Sequence, residues 1–264
     1  MNSAQIMASA YGMTFRIDLS DLPSDRDWTT ELVRALPPGA SPVSDVVPDF
    51  SVRVHSLDDG YVVDHESASD GTEPPSYATV GDLCHGLERV IGARIAHDAP
   101  GAVFIHAGVV DTPEGALLFP GRSFAGKTTL VSELLAQGCR YLSDEYAVLG
   151  ADGLVRAYPR HLSHRVGTER RDEMPPDDVP VQARPVRAVF DLRYSAGATL
   201  NLQPRTPGQV VLHLVDNAVA ARARSSEVLS VSAAVARNCQ GWGGVRGESA
   251  DAARGILQML AAEA

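Results

Sequence analysis

Lysine is almost absent from this sequence of 264 residues. Of its 23 basic residues, 22 are arginines and Lys127 is the single lysine. A GTPase needs a lysine in the N-K-x-D element that recognises guanine, and Lys127 stands in G-K-T-T instead, which excludes that class. Acidic residues outnumber basic ones by 33 to 23, which gives a formal net charge of −10. Since a net acidic chain repels nucleic-acid phosphates and anionic lipid, we expect neither as a partner.

Cysteines and long apolar runs are scarce as well. Cys84, Cys139 and Cys239 are too few and too far apart for a disulfide framework or a cysteine-based zinc site. No apolar run approaches the ~20 residues that cross a bilayer, and the first residues lack the basic and apolar segments of a signal peptide. These absences predict a soluble, cytoplasmic protein.

The elements predicted from the sequence fall into two parts. Residues 1–99 are predicted to form a small α+β annex. It contains a hairpin of Phe50–His55 and Tyr61–His65, and a helix over Val80–His97 with apolar residues at helical spacing.

Residues 100–264 are predicted to form the core, in which strands alternate with helices as in α/β folds. An exposed loop is expected over the charged, proline-rich residues 167–185. The other predicted elements, in chain order, are strands over Ala102–Val110 and Ala116–Phe119, a helix over Thr129–Gln137, a strand pair of Arg140–Leu142 and Tyr146–Leu149, strands over Val155–Tyr158, Val186–Leu192 and Thr199–Leu202, and helices over 206–219, 226–239 and 249–262.

The segment Gly121–Thr128 fits the phosphate-binding pattern G-x-x-x-x-G-K-[ST] and lies between a predicted strand and a predicted helix. Glycines let backbone N–H groups surround a phosphate at the positive end of the helix. Lys127 can reach the β- and γ-phosphates, and the hydroxyl of Thr128 can bind Mg²⁺. The pattern predicts a nucleoside triphosphate site made of Gly121, Arg122, Ser123, Phe124, Ala125, Gly126, Lys127, Thr128 and Thr129.

Two sets of carboxylates are candidates for the chemistry. Asp144-Glu145 lies 17 residues after Lys127, and Asp191 ends the apolar run that begins at Val186. In a phosphotransferase, one member of the adjacent pair takes the proton of an attacking hydroxyl and the other holds Mg²⁺. In an ATPase, Asp191 is the metal carboxylate. A polar turn and a strand-end carboxylate without a role are the structural alternatives.

A histidine supports the phosphotransferase hypothesis. His106 lies on the strand before the phosphate-binding segment, 15 residues before Gly121. A strand histidine is most often a packed core residue. Opposite a carboxylate and a terminal phosphate, however, it can stabilise the base or the phosphate oxygens.

The three elements, in this order and spacing, resemble the catalytic core of bacterial HPr kinase/phosphorylase and its P-loop relatives, which is similar to that of phosphoenolpyruvate carboxykinase. The resemblance covers residues 100–160 and extends more loosely to the C terminus. It implies an α/β fold with a P-loop core of the HPr kinase/phosphoenolpyruvate carboxykinase type, a mixed sheet, a small N-terminal α+β annex and a helical C-terminal part. The chain departs from the family pattern at Ala107 and Phe124, where the family has glycine, and at Glu145, where it has aspartate.

The resemblance also implies a function. The expected protein is a kinase that uses ATP and Mg²⁺ to phosphorylate a hydroxyl, with serine favoured, on a protein, peptide or small molecule. His106 and Asp144 would carry the acid–base work, Lys127 would hold the phosphates, and Thr128 with Glu145 would hold Mg²⁺.

Further expectations concern the arginines and the assembly. Arg160, in a Pro-Arg element after the acidic pair, would touch the transferred phosphate. Arg222, Arg224 and Arg246 would add positive charge near the nucleotide. Because the HPr enzymes are hexamers, the resemblance also implies a homo-oligomer. Two alternatives stay open at this point: an ATPase that uses Asp191, and a nucleotide-binding regulatory module without turnover.

Overall fold

A computed structural model describes residues 5–65, 74–121, 126–166, 169–173 and 179–262 of the chain. The chain divides into two compact units, Met1–Pro100 and Gly101–Ala264. Each unit has its own mixed sheet and its own helices, so the protein belongs to the mixed α/β class.

The first unit is built on a six-stranded sheet of order β3-β1-β2-β4-β5-β6, in which β2 and β4 are parallel. Its strands are Gln5–Ala10 (β1), Met13–Asp21 (β2), Ser41–Pro42 (β3), Phe50–Leu57 (β4), Gly60–His65 (β5) and Ser76–Tyr77 (β6). Its helices are Trp28–Leu32 (α1), continued by a 3₁₀ turn over Val33–Ala35, and Val80–Asp98 (α2).

Helix α2 confirms the helix predicted from apolar spacing. The hydroxyl of Thr79 caps its start by accepting the N–H of Asp82. Its buried residues include Leu83, Leu87, Ile91 and Ile95. The predicted hairpin is also confirmed, since β4 and β5 pair antiparallel.

The second unit is built on an eight-stranded sheet of order β11-β10-β7-β8-β14-β16-β15, with β9 also paired to β7. Its strands are Ala102–Thr112 (β7), Gly115–Pro120 (β8), Arg140–Ser143 (β9), Tyr146–Gly150 (β10), Leu154–Arg156 (β11), Arg184–Tyr194 (β14), Asn201–Pro204 (β15) and Gln240–Arg246 (β16). A separate ribbon pairs Leu162–Val166 (β12) with Glu169–Glu173 (β13). Its helices are Lys127–Ala136 (α3), Pro207–Asp216 (α4), Ser225–Ala236 (α5) and Ser249–Ala262 (α6).

Three neighbouring strands of this sheet, β8, β14 and β16, run parallel. Their carboxyl ends therefore meet at one edge of the sheet, the edge where ligands bind in open α/β sheets. Strand β8 ends there at Pro120, and α3 begins at Lys127.

The two faces of β7 pack against different helices. Ile105, Ala107 and Val109 belong to a core that includes residues of α4 and α5. Gly108 faces α3 instead, since a Cβ on it would come within 2.7 Å of Val131. Because side chains alternate along a strand, His106 lies on the same face as Gly108, toward α3.

The two strands predicted around Asp144-Glu145 are confirmed as β9 and β10, but their pairing with each other is wrong. Both pair antiparallel with β7, along which they follow each other. The hydroxyl of Ser143 accepts the N–H groups of Glu145 and Tyr146, at 3.1 and 3.0 Å. These two local hydrogen bonds interrupt the pairing with β7 at the acidic pair, and the chain continues in the same direction.

Two further predictions need correction. The loop expected over 167–185 includes β13, although 167–168 and 174–178 lie outside the described residues. All five residues of β13 are charged, so no apolar pattern in the sequence indicates this strand. In the C-terminal part the three predicted helices are present, but a strand that was not predicted, β16, lies between α5 and α6. Its glycines hid this strand, and they permit a close approach: a Cβ on Gly243 would lie 2.0 Å from Nε of Arg205.

Within the residues described here, no helix is both long and apolar enough to cross a membrane.

A buried carboxylate between two arginines should matter for the stability of the second unit. The side chain of Asp111, on β7, is fully buried and pairs with Arg140 and, at 2.7 Å, with Nε of Arg184. The two arginines are partly exposed, so Asp111→Asn removes charged hydrogen bonds without leaving a fully buried charge. We therefore expect Asp111→Asn to lower the free energy of unfolding by about 2 kcal/mol in urea titrations. The exposed pair of Asp251 and Arg254 provides the control, since Asp251→Asn should change it by less than ~0.5 kcal/mol. Equal effects of the two substitutions would contradict the prediction.

Candidate active site

The hairpin of β7 and β8 brings His106 to Gly121, the first residue of the segment that is predicted to bind phosphate. Ala107 pairs with Pro120, and the N–H of Gly121 donates to the carbonyl of His106 at 3.0 Å. On its other side, His106 pairs with Tyr146, the residue after the acidic pair. The 15-residue step to Gly121 is therefore the length of this hairpin.

Helix α3 begins at the same edge. Gly126 precedes it with a φ of 74°, a left-handed conformation that favours glycine. Nζ of Lys127 donates to the carbonyl of Gly121 at 2.7 Å, so the lysine reaches back across the segment. Burial lowers the pKa of Lys127, while the charges of Glu145 and Asp144 oppose this.

The structure describes five of the nine residues of the predicted triphosphate site. Arg122, Ser123, Phe124 and Ala125 lie outside the described residues. Thr129 is exposed in the first turn of α3.

Asp144 lies at the N-terminal end of α3 and is 7% exposed. Its carboxylate accepts the hydroxyl of Thr128 on Oδ2 and the hydroxyl of Tyr141 on Oδ1, each at 3.2 Å. Burial raises the pKa of Asp144, and the positive charge of Arg160 opposes this. The structure thus joins Thr128 to Asp144, whereas the resemblance had paired it with Glu145.

Glu145 faces a different pair of side chains. Its Oε1 lies 3.9 Å from Nδ1 of His106, and its Oε2 lies 3.5 Å from Nη1 of Arg160. The side chains of Glu145 and His106 are 37% and 41% exposed, so both can meet a molecule from solvent.

The surroundings of His106 favour the neutral form of its imidazole. Burial lowers its pKa below the ordinary value, the charge of Lys127 adds to this, and Glu145 opposes it. A neutral imidazole can accept a proton, which is what an acid–base role requires.

Tyr141 is a site residue that sequence reasoning missed. Its hydroxyl lies 3.2 Å from Asp144 and 3.0 Å from the carbonyl of Arg160, so it links the acidic pair to the Pro-Arg element. An aromatic residue in a strand is typical of a core, and Tyr141 is indeed buried. No signal in the sequence distinguishes it from the other core aromatics.

The three C-terminal arginines have different positions. Nη2 of Arg246 donates to the carbonyl of Gly126 at 3.2 Å, at the start of α3. Arg224 instead binds the carbonyl of Ala102, at the far end of β7, and Arg222 is exposed. Of the three, Arg246 is the one that contacts the start of α3, at Gly126.

Asp191 is engaged away from this cluster. It follows Phe190 on β14, and its carboxylate lies 3.3 Å from Arg205 and 3.8 Å from Nδ1 of His213 on α4. Phe190 packs in the core that contains α3 residues. Because side chains alternate, Asp191 lies on the opposite face, toward α4.

The cluster offers oxygen donors for a cation. Among the described residues, there is no group of three or more histidine, cysteine or acidic side chains that could hold a metal by itself. Mg²⁺ does not need one, because it is usually bound by one or two carboxylates together with substrate phosphates. The hydroxyl of Thr128 and the carboxylate of Asp144 fit that requirement.

No protein-family model and no curated protein sequence matches this chain. Among solved structures, it is similar to the structure of the Hpr(Ser) kinase/phosphatase from Coxiella burnetii. That similarity covers 59% of this chain and 97% of the other, with 16% sequence identity and a TM-score of 0.32. It is a distant similarity of fold.

Proposed function

We propose that this protein is a kinase that transfers the γ-phosphoryl group of ATP to a hydroxyl group of a protein, peptide or small molecule, with serine the favoured acceptor. The observation that carries the proposal is the meeting of four chain segments at the N-terminal end of α3. They contribute His106, Lys127 with Thr128, the pair Asp144-Glu145, and Arg160.

The start of α3 is suited to the phosphates of ATP. Backbone N–H groups of the first turn and the positive helix end attract anions. Lys127 would exchange its bond to the carbonyl of Gly121 for phosphate oxygens. The attraction between its partly buried ammonium and a phosphate is stronger there than in water, because the surroundings screen it less.

Thr128 and Asp144 are the residues that would hold Mg²⁺. The metal, when bound, neutralises charge on the phosphate oxygens. The hydrogen bond from Thr128 to Asp144 supports this pair for the metal side of the site. It therefore favours a division of labour opposite to the one that the resemblance implied.

Glu145 and His106 would then face the acceptor. A carboxylate beside a neutral imidazole can take the proton of a serine hydroxyl as it attacks. Arg160 holds the other oxygen of Glu145, and its planar guanidinium suits the oxygens of the phosphoryl group. Phosphoryl transfer asks for little more from a protein than such positioning and charge.

The position of Asp191 argues against the ATPase alternative. Its carboxylate is paired with Arg205 and His213 on the face opposite α3. A metal carboxylate should instead lie beside Thr128, as Asp144 does.

The proposal is tested by following the labelled γ-phosphate of ATP. We expect the label to appear on a peptide pool with serine as its hydroxyl residue and not on the same pool with alanine in its place. Asp191→Asn should keep at least about half of this activity, as expected for a residue outside the site. Phosphate release without any acceptor, lost in Asp191→Asn, would favour the ATPase instead.

A further inference from the structure

Arg246, the last residue of β16, lies buried beside the start of α3 with 3% of its surface exposed. Its Nη2 donates to the carbonyl of Gly126 at 3.2 Å. Its Nη1 lies 3.0 Å from the carbonyl of Gly247 and 3.2 Å from the hydroxyl of Ser249, the first residue of α6. The guanidinium therefore joins the beginnings of two helices that are far apart in the sequence.

The contact between Arg246 and the carbonyl of Gly126 depends on glycine at position 126. The carbonyl of Gly126 also accepts the N–H of Leu130, so it is the first acceptor of α3. A Cβ on Gly126 would lie 2.6 Å from Nη2 of Arg246. Glycine is thus needed there for its left-handed φ and for the room that the arginine takes.

The side chain of Arg246 is also held from a second direction. Its Cζ lies 5.3 Å from the centre of the ring of Tyr194, whose hydroxyl donates to Glu248 at 2.9 Å. A planar guanidinium can bind several acceptors in fixed directions while it stacks on a ring. Lysine, with its donors on one atom, cannot reproduce this arrangement.

We propose that Arg246 is a positioning residue that fixes the N-terminal end of α3 for a triphosphate. The inference rests on the proposed function, since it assigns the helix end that would meet the phosphates. The lysine and the hydroxyl that follow Gly126 can bind phosphate and metal only if the helix begins in the right place. Arg246 ties that beginning to β16 and α6.

This role predicts an effect on affinity. If the helix end adopts its binding geometry for only part of the time, the apparent dissociation constant rises by the inverse of that fraction. Nucleotide binding then has to restore this geometry, which makes the net free energy of binding less favourable. Loss of the arginine should therefore weaken binding even in protein that folds normally.

The test compares Arg246→Lys and Arg246→Gln with the unsubstituted chain by calorimetric titration of Mg–ATP. We expect the Kd to rise roughly tenfold in both, the effect of losing a hydrogen bond from a charged group. We also expect a smaller rise in Tm at a fixed ATP concentration, because that rise depends on Kd. A merely structural role would lower the Tm of the free protein and leave Kd unchanged.

Two further variants complete the experiment. Arg254→Gln removes an exposed arginine of α6 and should leave Kd unchanged. Ser249→Ala removes one acceptor of Arg246 without removing charge, and should raise Kd by about two- to threefold. If the Arg246 variants do not fold, the Kd of Ser249→Ala tests the positioning role in their place.

Each result has a definite meaning. Unchanged Kd in the Arg246 variants, or in Ser249→Ala if they do not fold, overturns this inference and leaves the proposed function standing. If the unsubstituted protein binds no Mg–ATP, both the inference and the proposed function fail.

Discussion

Asp144→Asn should lower phosphoryl transfer about a thousandfold while Mg–ATP still binds, because the metal would no longer be held where it neutralises the phosphate oxygens during transfer. Asparagine keeps the size of the side chain, and its carbonyl can still accept the hydroxyl of Thr128 or Tyr141. What it lacks is the negative charge. Because Lys127 and the start of α3 are the groups proposed to hold the phosphates, the Kd for Mg–ATP should change much less than the transfer rate.

Glu145→Gln is the matched control, since it removes the same charge one residue further along. If Asp144 holds the metal with Thr128, the residual activity of Asp144→Asn should rise with Mg²⁺ far above the concentration that saturates the unsubstituted protein. In Glu145→Gln, the same titration should leave the low rate unchanged. The reverse result would restore the division of labour that the resemblance implied. Full activity of Asp144→Asn would remove this residue from the mechanism.

The sequence spacing of the motifs allowed us to predict that they lie close together, because short local elements connect them. The 15-residue step from His106 to Gly121 is a hairpin, in which pairing alone sets which residues meet. The 17-residue step from Lys127 to Asp144 spans one helix and one short strand that returns to β7. A pattern in sequence order is informative when the chain between its parts is this short.

The pairings within the cluster could not be predicted in the same way. Which carboxylate meets Thr128 depends on the break between β9 and β10, and hence on the hydroxyl of Ser143. The hydroxyl of Tyr141 and the guanidinium of Arg246 act across the fold. Their partners are backbone carbonyls, which every residue has, so the sequence gives no sign of which one is chosen.

Replacement of Lys127 by alanine should have the other large effect, because it removes the ammonium that is proposed to bind the phosphates. We expect the transfer rate to fall by about 100- to 1,000-fold, with weaker binding of Mg–ATP in the same variant. Lys127→Arg keeps the charge but not the compact shape, and should recover only a small part of the activity. Unchanged binding and turnover in Lys127→Ala would reject the phosphate-binding role.

The single lysine allows an independent test on the unsubstituted protein. An amine-directed acylating reagent can modify Lys127 and the terminal amine only, and peptide mass mapping distinguishes the two sites. Acylation requires the neutral amine, and burial lowers the pKa of Lys127, which increases the neutral fraction relative to an ordinary lysine. Mg–ATP should protect Lys127 and leave the terminal amine reactive, because only the lysine would be covered by phosphate. Equal labelling of Lys127 with and without Mg–ATP would mean that the nucleotide does not bind at the start of α3.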